Sequence, residues 1–450
     1  MFKTFRIGGI HPEENKITAE IETCVAELPQ QAFFPLSQHI GAPAVPIVKK
    51  GDKVKVGTKI AEAGGPGSAP VHSSVSGTVT KIGTIIDATG YNKPVIIIKT
   101  EGDEWEESID RSDALETLDG HDGLTPEYII TRIRDAGITG MGGAGFPTYV
   151  KLTPPSTSKI DCVIINAVEC EPYITSDYRL MMEHADEILV GVKLVLMAVS
   201  APVAYIGIER NKPAAIRLFQ EKTIGERSIK VVPLEQKYPQ GGEKQLIDAV
   251  IRRQVPDPPA IPANVGTVVV NVGTAFAVYQ AVMKNKPLFE RYTSVSGKHI
   301  SQPKNFLVRM GTPISQLIDA CGGLPDGDNK IIAGGPMMGK ALMTTGVPVC
   351  KGTNSITVLS GKEAVRDGAI GPCIRCAKCV GVCPMGLEPY ILATSSAAHN
   401  WEMAEEHFIT SCIECGSCQY TCPANRPMLD NIRFGKSKVM TIIRARKQKS

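Results

Sequence analysis

Eight of the thirteen cysteines fall in two runs of one spacing, CIRCAKCVGVCP at 373–384 and CIECGSCQYTCP at 412–423. Each reads C-x2-C-x2-C-x3-C-P, giving Cys373, Cys376, Cys379 and Cys383, then Cys412, Cys415, Cys418 and Cys422. Three closely spaced thiolates wrap one corner of a 4Fe-4S cube, while the fourth, followed by proline, reaches the neighbouring cube. The predicted ligand sets are Cys373, Cys376 and Cys379 with Cys422 for cluster 1, and Cys412, Cys415 and Cys418 with Cys383 for cluster 2. Zinc also takes C-x2-C pairs, but four ligands complete a zinc site and the regular third and fourth cysteines would be left over. The 28 residues between Cys383 and Cys412 exceed a compact β ferredoxin hairpin and read as two helices. An α-helical ferredoxin domain is therefore expected. The other five cysteines, Cys24, Cys162, Cys170, Cys321 and Cys350, have no ligand spacing and are expected to be buried small hydrophobes.

A second group of residues could hold a phosphate or a flat ring. GITGMGGAGFPTYVKL, at 137–152, places five glycines between Gly137 and Gly145, so backbone N–H groups can approach a ligand without Cβ atoms in the way. It follows a predicted helix, which separates it from the dinucleotide fingerprint of a simple βαβ unit. Downstream, NAVECEPYITSDYRLM at 166–181 puts an asparagine and two acids at a predicted strand end, where they could bond ring and ribose edges. The eight histidines form no pair at ligand spacing and read as surface or packing residues.

These groups must be positioned by several domains, because 450 residues exceed one hydrophobic core. Residues 1–112 are expected to form a small barrel-sandwich β module. Its IVKKGDKVKVGTKIAEAGGPGSAPVHSSVSGTV resembles the biotinyl and lipoyl carrier fold, but Pro66 falls at the hairpin tip where a carrier needs lysine. From 113 to 290, short apolar runs alternate with amphipathic helices, as a parallel sheet covered on both faces requires. Residues 291–355 follow the order of a β-grasp module, and 356–450 turn helical around the cysteines. The fold class is thus multidomain α/β. No run of eighteen uncharged apolar residues or export signal is present, so neither a membrane span nor secretion is expected. The formal charge of +3 says little about partners, since each cluster with its thiolates would remove about two units. No nucleic-acid partner is expected. Only the tail GKSKVMTIIRARKQKS is distinctly basic, either as a solvated end or as a segment docking to an anionic surface.

GMGGAGFPTYVKL together with NAVECEPY, YPQGGEKQL and NVGT resembles the FMN- and NADH-binding subunit of respiratory complex I. The whole module order, including GGIHPEENK, PLSQHIGAPAVPIVKKGDKVKVG and APVHSSVSGTV, more closely resembles the RnfC subunits of Rnf ion-translocating ferredoxin:NAD oxidoreductases. The resemblance covers essentially the full chain and implies an α/β FMN-binding domain, an SLBB-like β-grasp module, FMN, NAD(H) and two 4Fe-4S clusters. It assigns Gly140, Gly142 and Gly143 to the flavin phosphate loop, Phe146 to adenine stacking and Lys151 to the phosphates. Asn166, Glu169 and Glu171 go to the flavin and nicotinamide edge, Gly241 and Glu243 to a second loop, and Asn271 and Thr274 to the FMN phosphate end. The chain departs from the pattern at Val168, Gly242, Val270 and Pro154.

Flavin and iron–sulfur centres in one chain make a converter between two-electron and one-electron chemistry, and hydride transfer needs no general acid or base. No catalytic triad is therefore nominated. The resemblance implies a peripheral subunit on the cytoplasmic side of the membrane. It would exchange electrons with other Rnf subunits, including membrane-embedded ones that move Na+ or H+, and indirectly with ferredoxin. A soluble flavin and iron–sulfur reductase of the microcompartment cobalamin reductase type is the alternative. It shares the glycine loop and the two clusters, but here the carrier-like module precedes the flavin domain.

Overall fold

The structure is a computed structural model that describes residues 2–121, 123–365 and 368–449. Its first 25 residues do not join the barrel with which they were grouped. Phe5 and Ile10 are buried, which fixes this segment as a strap along the α/β domain: Lys3 bridges to Leu234 and Ile10 to Tyr238, and Arg6 pairs with Asp248. The strap ends as β1 (Thr23–Val25), which pairs in parallel with a strand of the β-grasp sheet. Cys24 is exposed because β1 is the edge of that sheet, which corrects its expected burial. Cys162 and Cys321 are buried as expected, while Cys170 and Cys350 are half-buried.

The barrel sandwich comprises β2 (Gln31–Pro35), β3 (Val45–Pro46), β4 (Lys53–Val54), β5 (Lys59–Glu62), β6 (Val71–His72), β7 (Ser76–Ile86) and β8 (Asn92–Gly102). One sheet runs β2, β8, β7, β4 and the other β3, β5, β6. They close over Ala32, Phe34, Ile60, Val71, Val79, Ile96 and Ile98. Pro66 stands exposed in the turn between β5 and β6.

The α/β domain contains α1 (Pro126–Asp135), α2 (Thr148–Lys151), β9 (Cys162–Ala167), α3 (Ser176–Glu183), α4 (Ala185–Ala198) and β10 (Ala204–Glu209). It continues with α5 (Pro213–Lys222), β11 (Ile229–Leu234), α6 (Glu243–Ile251), β12 (Thr267–Asn271) and α7 (Val272–Met283). Its sheet runs β11, β10, β9, β12 and is parallel throughout. Alternation along the strands divides the core: Val163, Ile165, Ile206 and Val268 meet α1, α4 and α7 on one face, while Ile164, Leu234 and Val269 meet α6 on the other. The chain leaves β9 in opposite directions, to β10 on one side and later to β12 on the other. The crevice beyond the carboxyl ends of β9 and β12 is therefore a topological switch point, where such sheets bind ligands.

The β-grasp module has β13 (Glu290–Ser296), β14 (Lys304–Arg309), α8 (Ile314–Asp319), β15 (Asn329–Ala333), β16 (Lys340–Ala341) and β17 (Ser355–Ser360). Its sheet order is β1, β14, β13, β17, β15, β16. The expected boundary at 355 falls at the start of β17, so this module extends to about 360. β17 is interior, paired with both β13 and β15, and buries Ile356 and Val358.

The C-terminal domain is helical: α9 (Lys378–Gly381), α10 (Pro389–Ala397), α11 (Trp401–Glu406), α12 (Ser417–Tyr420) and α13 (Met428–Lys449). α10 and α11 occupy the spacer between the cysteine runs. The basic tail continues α13 to Lys449, and its last residue, Ser450, lies outside the described residues. Among the described residues no helix is long and apolar enough to cross a membrane.

Candidate functional site

The switch-point crevice collects most of the residues singled out in the α/β domain. Asn166 and Asn271, the paired ends of β9 and β12, lie side by side. Asn271 caps α7, its Oδ1 accepting from Gly273 N at 3.0 Å and Thr274 N at 3.3 Å, while its Nδ2 donates to Asp177 Oδ2 at 2.7 Å. Thr274 Oγ1 accepts from Met141 N at 2.8 Å, tying the glycine loop to the start of α7. Within the loop Gly143 has φ +106°, a conformation that favours glycine. Among the described residues, the N–H groups from Gly142 to Gly145 meet no acceptor in good hydrogen-bond geometry. Loop donors without a well-formed protein partner, beside a helix N-terminus, fit a phosphate. This is the end of FMN that Gly140, Gly142, Gly143, Asn271 and Thr274 would hold.

The other assigned residues frame the crevice. Asn166 Nδ2 donates to Gly241 O at 2.8 Å, joining the two loops. Lys151 on α2 pairs with Glu243 at the first turn of α6 at 2.6 Å and also donates to Val269 O at 2.9 Å. Phe146 is 36% exposed, so part of its side chain is accessible to a ligand.

Glu169 and Glu171 are already engaged. Glu169, at φ +50°, accepts from Asp177 N at 2.7 Å and Tyr178 N at 3.3 Å at the first turn of α3. Burial pushes its carboxyl up to about 7 against the pull of the Lys16 ammonium. Glu171 accepts from Met337 N at 3.1 Å and Met338 N at 2.8 Å, in the β15–β16 turn, and burial lifts it to about 7 as well. Three residues absent from the expected site organise this loop. Lys16, in GGIHPEENK, reaches the carbonyls of Glu169, Glu171 and Ile174 at 2.7–2.8 Å. Asp177 holds Asn271, and Cys170 Sγ accepts from Gly241 N at 3.3 Å. Lys16 and Asp177 stand inside recognisable sequence motifs, but only the folded chain brings them to one loop.

The loop Tyr238–Gly242 faces the crevice on one side and the cysteine domain on the other. Tyr238 Oη donates to Cys415 O at 2.8 Å, and Gln245 Nε2 donates to Pro384 O at 3.2 Å. Tyr238, Ile10, Cys415, Cys170, Met337, Val382 and Ile413 form one apolar contact cluster. Next to it, Cys383, Cys412, Cys415 and Cys418 line a pocket with Pro384, Met385, Leu387, Leu392, Leu429 and Ile432. This is the set proposed for cluster 2, one thiol from the first run with three from the second. Soft thiols around an apolar, weakly polarisable wall suit an iron–sulfur cube. Among the described residues no three His, Cys, Asp or Glu side chains form a single-ion site.

The two runs also share backbone form. Arg375 and Ala377 take φ +56°, and their counterparts Glu414 and Gly416 take +58° and +77°. Cys373 and Cys376 are exposed, Cys379 is buried and Cys422 is half-buried. Gly371 N donates to Ala424 O at 2.9 Å, bringing the turn after Cys422 beside the segment that enters Cys373.

A flavin crevice joined by a buried loop to a double cysteine domain defines a flavin and iron–sulfur electron-transfer protein. Family models match the chain in the same order. The RnfC barrel sandwich hybrid domain matches residues 3–103, the Nuo51 FMN-binding domain 133–280, the SLBB domain 292–341 and the 4Fe-4S dicluster domain 365–423. The RnfC protein of the proton-translocating ferredoxin:NAD(+) oxidoreductase complex of Clostridium ljungdahlii is 43% identical, over 97% of this chain and 94% of its own. Its counterpart in the Na(+)-translocating complex of Acetobacterium woodii is 41% identical, over 97% of each chain. The corresponding protein of the ion-translocating oxidoreductase complex of Rhodobacter capsulatus is 40% identical, over 96% of this chain and 82% of its own. The chain belongs to the RnfC family, whose members are components of the multi-subunit Rnf complexes.

Proposed function

We propose that this chain is the NAD(H)-facing electron-transfer subunit of an Rnf-type ferredoxin:NAD+ oxidoreductase, carrying electrons between NAD(H), FMN and two 4Fe-4S clusters. The observation that carries this reading is the loop Tyr238–Gly242. It contributes Gly241 to the flavin crevice and bonds through Tyr238 Oη to Cys415 O, so the two redox sites share one buried wall.

FMN, when bound, supplies the exchange of a two-electron hydride for single electrons, the only form clusters accept. The residues here bind, orient and exclude water. The loop N–H groups from Gly142 to Gly145 and the Asn271–Thr274 turn hold the phosphate end, while Asn166 and Gly241 border the ring edge. Glu169, Glu171 and Lys16 fix the loop beneath that edge. Phe146 stacks on the nucleotide adenine, and Lys151, kept in place by Glu243, faces its phosphates. Cys383, Cys412, Cys415 and Cys418, beside the Tyr238 wall of the flavin domain, would hold cluster 2. Cys373, Cys376, Cys379 and Cys422 would hold cluster 1.

The protein docks peripherally on the cytoplasmic side of the membrane and exchanges electrons with membrane-embedded Rnf subunits, and through them with ferredoxin. For two electrons, a 100 mV gap corresponds to about 4.6 kcal/mol, against about 2.3 kcal/mol for one cation crossing 100 mV. A modest gap therefore drives roughly two ions. The cation is selected by the membrane-embedded partners, since among the described residues no helix of this chain is long and apolar enough to cross a membrane.

The test is anaerobic purification, cofactor extraction and NADH oxidation with an artificial acceptor. Lys151→Met and Glu243→Gln are expected to raise the KM for NADH while leaving FMN content and iron unchanged. Wild-type kinetics in both variants would displace the nucleotide site from this position.

A further inference from the structure

The β-grasp module touches the glycine loop from its carbonyl side with two buried basic side chains, and the barrel meets the same underside through Pro70 and Gln38. Arg291, in β13, is only 3% exposed, and its Nη2 donates to Met141 O at 3.2 Å. Its Nη1 donates to Lys351 O. Lys351, fully buried, donates from Nζ to Gly137 O and to Pro70 O of the barrel, each at 2.7 Å. Its backbone N–H donates to Gln38 Oε1 at 3.1 Å. Two further contacts complete this underside. A Cβ on Gly352 would stand 3.3 Å from Gly143 O, and one on Gly137, at φ +67°, would stand 2.5 Å from Pro70 O.

Both cations are placed at considerable desolvation cost, and neither has a carboxylate in hydrogen-bonded contact among the described residues. Burial draws Lys351 down to about 7 and Arg291 down to about 10, with Asp177 the acid that faces Arg291. Cys350, His39 and His72 are the other titratable groups around Lys351. Buried cations without a bonded acid are rare in structural cores. Here their side-chain donors all go to backbone carbonyls, and two of those carbonyls belong to the glycine-rich segment 137–145.

We propose that Arg291 and Lys351 are positioning residues for the phosphate of FMN. Arg291 holds the carbonyl of Met141, whose peptide plane carries the Gly142 N–H, and places positive charge behind the loop, while Lys351 anchors the loop's entry at Gly137 O. The β-grasp module and the barrel thereby complete a phosphate site that the α/β domain alone lacks. This rests on the flavin reading of the crevice.

The experiment compares the full-length wild type with Arg291→Met, Lys351→Met and the conservative Arg291→Lys. Apoprotein, with iron content as the folding control, is titrated with FMN and separately with riboflavin, which lacks the phosphate, following flavin fluorescence. Each methionine variant is expected to bind FMN about tenfold more weakly and riboflavin as the wild type does. Arg291→Lys is expected to fall between. Should Arg291→Met lose its iron and fail to fold, Lys351→Met and Arg291→Lys carry the comparison. Unchanged FMN affinity in folded variants, or equal losses for FMN and riboflavin, overturns the proposal. A wild type that binds riboflavin and FMN equally also overturns it. A wild type that binds neither overturns the flavin reading itself, and the two failures are thus distinguishable.

Discussion

Gly8→Ala tests how the N-terminal strap meets the cysteine domain. Gly8 has φ +65°, and a Cβ there would stand 2.5 Å from Cys383 C and O and 2.6 Å from Val382 O. The left-handed backbone alone costs an alanine about 1–2 kcal/mol. To reach ordinary contact at 3.4 Å the methyl must open 3.4 − 2.5 = 0.9 Å, and overpacking of this kind adds typically about 1–3 kcal/mol. Against a total of about 2–5 kcal/mol stands one hydrogen bond, Gly9 N to Val382 O at 2.9 Å, with a net worth of about 1 kcal/mol. The strain exceeds the bond, so something must give. A ligand turn anchored by metal, on a scale of about 10 kcal/mol for thiolate sites, outlasts the strap. The expected variant keeps the iron of both clusters and the Ile10–Tyr238 pairing, but the amide of Gly9 exchanges about thirtyfold faster or more, following the remaining roughly 2 kcal/mol. Water then reaches Val382 and Cys383, so the paramagnetic signal and potential of cluster 2 shift while those of cluster 1 do not. Wild-type exchange with both signals unchanged would refute the close approach. Loss of half the iron would refute the ranking of strap below turn.

Cys383→Ser is expected to cost cluster 2 and spare cluster 1, leaving about four irons per chain, as measured by iron assay and electron paramagnetic resonance; loss confined to cluster 1 would reverse the ligand sets. Glu171→Gln addresses pH. Burial raises Glu171 to about 7 from an ordinary 4.5, so between those values the folded state holds a proton that the unfolded state has released. Stability therefore falls as pH rises through that window. The glutamine variant is expected to show a shallower fall in urea midpoints over the same range, with Glu169 and Glu209, also near 7, keeping the remainder. A slope equal to wild type would remove Glu171 from the titration.

What was legible in the sequence was whatever depends on local spacing. The cysteine runs and the glycine loop contain their own geometry within about fifteen residues, and the switch-point asparagines end strands that announce themselves by apolar runs. Positions decided by distant partners were not legible. Cys24 is indistinguishable in type from Cys162, but one is on an edge strand and the other inside a parallel sheet. Ser355–Ser360 reads as an exit toward the helical domain, but pairing on both sides makes it interior to the β-grasp sheet. Glu169 and Glu171 sit two residues apart and carry the same charge; the first serves a helix start and the second a turn from another module.

Lys16 and Lys351 carry this furthest, because neither belongs to the domain whose loop it holds. Each directs an ammonium at carbonyls, Lys16 at three in the acid loop and Lys351 at one in the glycine loop and one in the barrel. A carbonyl held from behind fixes the direction of its peptide plane, and with it the N–H that follows. The flavin crevice is thus shaped from outside by the strap, the barrel and the β-grasp sheet. Separating the α/β domain from these neighbours would leave its glycines in place without the groups that orient them.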